Sequence, residues 1–119
     1  MSLTVYGYKA CSSCRKAMKF LDAEGQSYEF VDVTLAPPPR STLSDLLAKS
    51  DYELKHLYNT SGKAYREGSV AAKRKELSTD EQLDLLAGNG RLIKRPIVTD
   101  GARYTVGFKP EAFAAVWAQ

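Results

Sequence analysis

The sequence predicts an α/β fold in which a βαβ half and a ββα half build a mixed four-stranded sheet, with a helical insertion between them at about residues 41–90. Three observations predict it. Short runs of β-branched and aromatic residues at Leu3–Tyr6 and Tyr28–Val33 enclose one helical pattern within about thirty residues, the length of a parallel βαβ unit with a right-handed crossover. Near the other end, Ile97–Thr99 and Tyr104–Val106 flank Asp100-Gly101, a dipeptide suited to a tight antiparallel hairpin. Between the halves, apolar residues recur at helical spacing. The 119 residues are the size of one domain able to bury a core of its own, so 1–119 is expected to be a single domain.

Taken in order, the first strand leads into a helix that sets Cys14, Ala17, Met18 and Leu21 on one face and stops at Gly25. Tyr28–Val33 follows as the second strand. Pro37-Pro38-Pro39 can neither continue a helix nor donate to a sheet and reads as a rigid elbow. Helical periodicity restarts at once with Leu43, Leu46 and Leu47, and a second insertion helix is expected to carry Leu54, Leu57 and Tyr58. Asn59–Gly62 reads as a turn. Ser78 with Glu81 three residues on is a capping box, opening a helix that carries Leu83, Leu86 and Ala87 and stops at Gly88-Asn89-Gly90. After the hairpin, Pro110 suits a first helical position, and Phe113, Val116 and Trp117 form the core-facing stripe of a last helix.

Both cysteines of the chain, Cys11 and Cys14, fall where the first strand gives way to the first helix. A sulfur placed there sits among helix-terminal N–H groups that lack a backbone partner, and those groups favour a thiolate. Lys9, Arg15 and Lys16 surround the pair with positive charge, and Ser12-Ser13 makes the spacer polar. Cys11 is therefore expected to titrate below the free-thiol value of about 8.5, near about 7 or lower, and to act as a nucleophile. Two inert packed cysteines are the bland alternative. A structural zinc site needs four ligands, which two cysteines and the single His56 do not supply, so no metal is expected. His56 itself is expected to be a solvated or core-edge helix residue.

Composition narrows the classes further. Apolar content of 44% and charged content of 26% are those of an ordinary globular protein, and a net charge of +3 tilts toward anionic partners without indicating nucleic acid. Lys73-Arg74-Lys75, beside Glu76, reads as a solvated face. No apolar run approaches the ~20 residues that cross a bilayer, and the N-terminus lacks the regions of a signal peptide. The expected setting is the cytoplasm, where a close cysteine pair is catalytic or sensing more often than structural. A monomer without membrane association is expected.

Strand, helix, strand, helical block, hairpin, helix, with Cys-x-x-Cys at the first turn, is the topology of a thioredoxin-like domain carrying an insertion. That topology implies a cis X-Pro pair at the start of the third strand, across from the reactive thiol. Arg95-Pro96 stands in this place, an ordinary trans proline being the alternative. It would offer a backbone edge to an extended substrate and bring the Arg95 guanidinium near Cys11.

With Cys11 to Ala17, Leu57 to Glu67, Leu92 to Val98 and Val106 to Phe113 assembled in that order, the chain resembles the arsenate-reductase-like branch of the thioredoxin superfamily over nearly its full length. This branch includes arsenate reductases, Spx transcription regulators and small uncharacterised reductases. The resemblance implies three activities. In the arsenate reductases the cysteine matching Cys11 attacks arsenate and several arginines hold the oxyanion, as planar forks suit. Arg15 and Arg95 match family arginines, whereas Asn59 stands where those enzymes carry another, Val106–Lys109 offers only Lys109, and Gly7 stands near the place of their loop histidine. In thiol oxidoreductases, Cys14 would close a disulfide with Cys11. In the Spx regulators the pair is a redox switch and the partner is the RNA polymerase α subunit; this chain departs from them in its middle segment and in ending at Gln119 with no C-terminal extension.

The first expectation is a thiol–disulfide oxidoreductase of this family. Cys11 attacks, Cys14 resolves, and Arg15 and Arg95 assist the thiolate and an anionic group. Lys9, Ser12, Asn59, Pro96 and Lys109 shape the substrate site. The partner is a thiol or disulfide substrate or a redox protein. No cofactor is tightly bound, and glutathione or another thiol serves as reductant. The alternatives are a redox-sensing regulator that binds RNA polymerase and an arsenate reductase with a weakened clamp.

Overall fold

The computed structural model describes residues 3–118 and divides into two units, one running through Asp32 and resuming at Arg95, the other spanning Val33–Lys94. In the first unit, β1 (Leu3–Gly7), α1 (Ser12–Ala23) and β2 (Tyr28–Asp32) form the parallel βαβ half. The hairpin β3 (Ile97–Thr99) and β4 (Tyr104–Val106) adds to the other edge of β1, and α6 (Pro110–Trp117) closes the chain, its number following the helices of the second unit. The sheet order is β2-β1-β3-β4. β1, which delivers the cysteine pair, is therefore internal and held on both sides.

Strand alternation decides which side chains enter the core. Leu3 and Val5 of β1 and Val98 of β3 meet Ala17 and Leu21 of α1 and Phe113 and Trp117 of α6 in one buried cluster. Each fully buried large side chain there stabilises by about 1.5–3 kcal/mol. Phe113 sits edge-on to Phe20, with ring centroids 5.3 Å apart. α1 ends as expected at Gly25, whose φ of +70 is a conformation glycine enters without steric cost. The Gln26 side-chain amide then donates to the Trp117 carbonyl.

In the second unit, α2 (Arg40–Lys49) follows directly on Pro39, and α5 (Thr79–Gly88) starts at the Ser78–Glu81 capping box. Leu43 and Leu46 of α2 and Leu83 and Leu86 of α5 are buried, which is the stripe that the spacing selected. Between them lie α3 (Lys63–Glu67) and α4 (Val70–Lys73). The expected helix over Leu54–Tyr58 is absent. Leu54–Leu57 is a single 3-10 turn capped by Glu53 and His56, and Tyr58 leaves it in extended conformation to bridge Ile93. Its ring is held by aromatic and cationic neighbours, Tyr65 at 5.8 Å and the Arg74 guanidinium at 5.0 Å, and its hydroxyl donates to Gln82. A short apolar run could not by itself reveal that pairing. His56 is exposed, its Nδ1 accepting from the Glu53 N–H. Among the described residues no helix is long and apolar enough to cross a membrane.

The hairpin turn also sits differently from the expectation. Thr99 pairs with Tyr104, so four residues, Asp100–Arg103, connect the strands, with Gly101 at φ +95. Asp100 caps this loop from within, its Oδ1 accepting from the N–H groups of Ala102 and Arg103. Its Oδ2 takes the Arg103 guanidinium at 2.8 Å, and that guanidinium lies 4.9 Å over the Trp117 ring. Burial pushes the Asp100 carboxyl up, but the two N–H groups and Arg103 outweigh it and hold it below the ordinary carboxylate value. A carboxyl depressed on folding contributes stability above its unfolded pKa of about 3.9 and loses it as pH falls through the folded value. Asp100→Asn is therefore expected to lower stability by about 1 kcal/mol at pH 7 and to differ little from wild type well below pH 3. Urea midpoints at the two pH values test this, and an equal gap at both would show that the charge plays no part.

Candidate active site

The geometry of the cysteine pair follows from where α1 begins. Cys11 is its N-cap, in extended conformation at φ −79 and ψ 123, and its sulfur accepts from the backbone N–H of Cys14 at 3.4 Å. This is the helix-terminal donor expected from the sequence, now with an identity. Cys14, one turn on, points inward and is fully buried, and its sulfur accepts from the Tyr8 N–H at 3.4 Å. Room for that sulfur comes from Gly7. A Cβ at Gly7 would lie 3.0 Å from Cys14 Sγ and 3.3 Å from the Phe30 ring. Both cysteines are free thiols, Cys11 half-buried and Cys14 buried.

The third member of the cluster arrives from the far end of the sequence. The Arg95–Pro96 bond is cis, with Pro96 buried immediately before β3. The Arg95 guanidinium lies 5.4 Å over the Tyr8 ring and hydrogen-bonds the Cys11 sulfur. Partial burial pushes the Cys11 thiol up, but the Cys14 thiol and N–H and the Arg95 charge outweigh it, so its pKa lies below the ordinary value. Cys14 goes the other way, pushed up to about 12 by burial and by its bond to, and repulsion from, the Cys11 sulfur. Two chemically identical groups three residues apart are thus displaced in opposite directions.

The sequence-selected residues distribute as follows. Cys11, Cys14 and Arg95 come together, and Pro96 is buried next to Arg95. Lys9, Ser12, Arg15 and Lys109 are exposed on the same unit, and Asn59 belongs to the second unit. There Asn59 donates its N–H to the Leu92 carbonyl, and its side chain packs on Gly62. Arg15 lines a groove along α1 with Lys16, Met18 and Lys19. Tyr8 and Gly7 join the site through their backbone and ring, roles that residue type alone does not announce. Their only sequence signal was position, between the strand and Cys11.

The sheet order, with the pair at the first strand-to-helix turn, defines a thioredoxin-like protein. Comparison with known proteins narrows the class. The ArsC family model matches residues 6–116, and the chain belongs to the ArsC family. It is 47% identical over 118 residues to the uncharacterized protein YusI of Bacillus subtilis, covering 99% of this chain and 100% of that one. The crystal structure of a possible arsenate reductase from Streptococcus mutans superposes with a TM-score of 0.83 at 39% identity, over 90% of this chain and 91% of the other. The global transcriptional regulator Spx of Streptococcus pyogenes serotype M3 is 27% identical over 113 residues, 95% of this chain and 83% of the regulator.

Proposed function

We propose that this chain is a thiol–disulfide oxidoreductase of the cytoplasm, with Cys11 attacking and Cys14 resolving. The observation that carries the reading is the placement of the two thiols, Cys11 half-buried at the N-cap of α1 and Cys14 one turn on and fully buried, which displaces the first below its ordinary value and the second above it. The Cys11 thiolate attacks a sulfur of a substrate disulfide. A Cys11–substrate bond forms, the substrate bond breaks, and the other substrate sulfur leaves as a thiolate. Cys11 then carries no charge and accepts nothing from the Cys14 thiol, so two of the causes that raise Cys14 disappear and only burial remains. Cys14 attacks Cys11 Sγ, closing the Cys11–Cys14 disulfide, and the proton it gives up ends on the departing substrate sulfur, which is released as a thiol. The substrate gains two electrons and the pair loses them. A thiol reductant of the glutathione class would restore the dithiol.

The backbone around Arg95 supports an extended substrate. The Pro96 carbonyl is already occupied, accepting from the Gly107 N–H at 2.8 Å, while the Arg95 N–H and carbonyl have no backbone partner among the described residues. Cys11→Ser is expected to abolish exchange, and Cys14→Ser to stall with substrate attached to Cys11, visible by intact mass. Equal loss in both variants without an adduct would overturn the assigned roles.

Similarity to Spx along 95% of the chain favours a second reading, a redox-sensing module whose partner is the RNA polymerase α subunit. A stoichiometric polymerase partner captured in one redox state only would favour it, and capture in neither would remove it. Likeness to the Streptococcus mutans protein brings arsenate reduction as a third, in which Arg15, Arg95 and Lys109 would hold the oxyanion. Arsenate-dependent thiol oxidation no faster than in Cys11→Ser would exclude that activity.

A further inference from the structure

Resting on the thiol–disulfide reading above, we infer that the exposed face of α1 is a docking strip for an acidic segment of a protein disulfide partner. The groove there begins at Ser12, next to the attacking Cys11, and runs past Arg15, Lys16 and Lys19 over a floor that includes Met18. All three cations are exposed, and none has a carboxylate within ion-pair distance among the described residues. Ion pairs are the minority state for the cations of this chain, formed by Arg40, Lys49, Lys55, Lys63 and Arg103 among the described residues, so what sets these three apart is their alignment along one helix face beside Cys11.

Local stability does not account for this placement. The first turn of α1 holds no acidic residue, and the following residues are Arg15 and Lys16. Cations near the positive end of a helix macrodipole are disfavoured, so these side chains weaken the helix they stand on. Their field extends over the mouth of the thiol, where it favours an anionic partner. The one acid of the groove, Asp22, stands at its far end and accepts from the Tyr28 hydroxyl. From Ser12 to Lys19 the helix rises about 10 Å, the reach of about three extended residues. The complementary substrate therefore has carboxylates within about three or four residues of its cysteine. Tyr28 and Met18 provide apolar contact beside the charges.

The test uses the Cys14→Ser protein and three short peptides whose cysteine is activated as a 2-thiopyridyl disulfide, with flanking residues acidic, neutral or basic. Attack by Cys11 on the peptide sulfur releases thiopyridone, read by absorbance, and leaves a peptide adduct of known mass. The acidic peptide is expected to react on the order of fivefold faster than the neutral one at low salt, with the advantage shrinking as ionic strength rises through about 0.1 M. Lys16→Gln with Lys19→Gln should bring the ratio to about one, and Asp22→Asn should increase it. Equal rates for all three peptides in the starting protein would overturn the inference while leaving the thiol chemistry standing. No reaction with any peptide would remove the thiol reading and the inference with it.

Discussion

Replacing Gly90 with alanine is expected to destabilise the protein by about 3 kcal/mol or more. A Cβ at this position would lie 1.6 Å from the Val33 carbonyl oxygen and 2.6 Å from its carbon. The obstacle is backbone, so no rotamer change relieves it, and the segment that starts at Gly90 would have to move away from Val33. Gly88, two residues earlier, has nothing within 4 Å of its hypothetical Cβ. Gly88→Ala is the matched control and should be nearly neutral. With urea slopes of about 1–3 kcal/mol/M, the Gly90 variant should show a midpoint lower by about 1–3 M. A shift no larger than that of the Gly88 control would mean that the two backbones do not approach as described.

The same pair of glycines shows what kind of information the sequence held. Gly88-Asn89-Gly90 was legible as the end of a helix, because punctuation is a local property of the chain. That one glycine answers to Val33, more than fifty positions away, was not, since a close approach exists only after folding. The strands, α1, α2, α5, α6 and the capping box were legible for the same local reason. Leu54–Tyr58 was misread because its apolar residues answer to a bridge with Ile93 and to Arg74 and Gln82, none of them near in sequence. At the cysteine pair the helix-terminal position of Cys11 was legible and its chief charged neighbour was read only through topology. Lys9, Arg15 and Lys16 are near Cys11 in sequence, yet the guanidinium that bonds its sulfur is that of Arg95. The direction in which Cys14 points, set by the space over Gly7, had no local signature.

Arg95→Met is expected to raise the Cys11 pKa and slow its reaction with iodoacetamide at pH 7 on the order of tenfold. Burial remains as the opposing influence once the guanidinium's bond and charge are gone, so the thiol moves toward or past its ordinary value. Methionine keeps an unbranched stem but loses the guanidinium's contact with Tyr8 along with its charge, so Arg95→Lys, which retains a cation, separates the two and should leave the Cys11 pKa nearer that of the starting protein. Rates followed against pH in the Cys14→Ser background would show the alkylation limb displaced to higher pH with an unchanged plateau. An unmoved limb would assign the depression to the helix terminus alone. The reciprocal experiment removes the attacking sulfur. In Cys11→Ala the Cys14 thiol should fall from about 12, because its bond to that sulfur and the repulsion between them vanish, while burial keeps it above the ordinary value. Thiolate absorbance during alkaline titration reports it directly. A Cys14 value unaffected by loss of Cys11 would contradict the release of the resolving thiol during exchange.

Because Cys11 lies near the start of the chain and Arg95 near its end, the two meet only when β3 pairs with β1. On a translating ribosome adding about 5–20 residues per second, the interval between their synthesis is on the order of ten seconds. Throughout that interval the cysteine has neither its guanidinium nor a sheet to anchor the helix behind it, and it remains an ordinary thiol. The charge that lowers the thiol is thus supplied last, by the segment that also completes the sheet, and a truncated or stalled nascent chain emerges with a cysteine of ordinary reactivity.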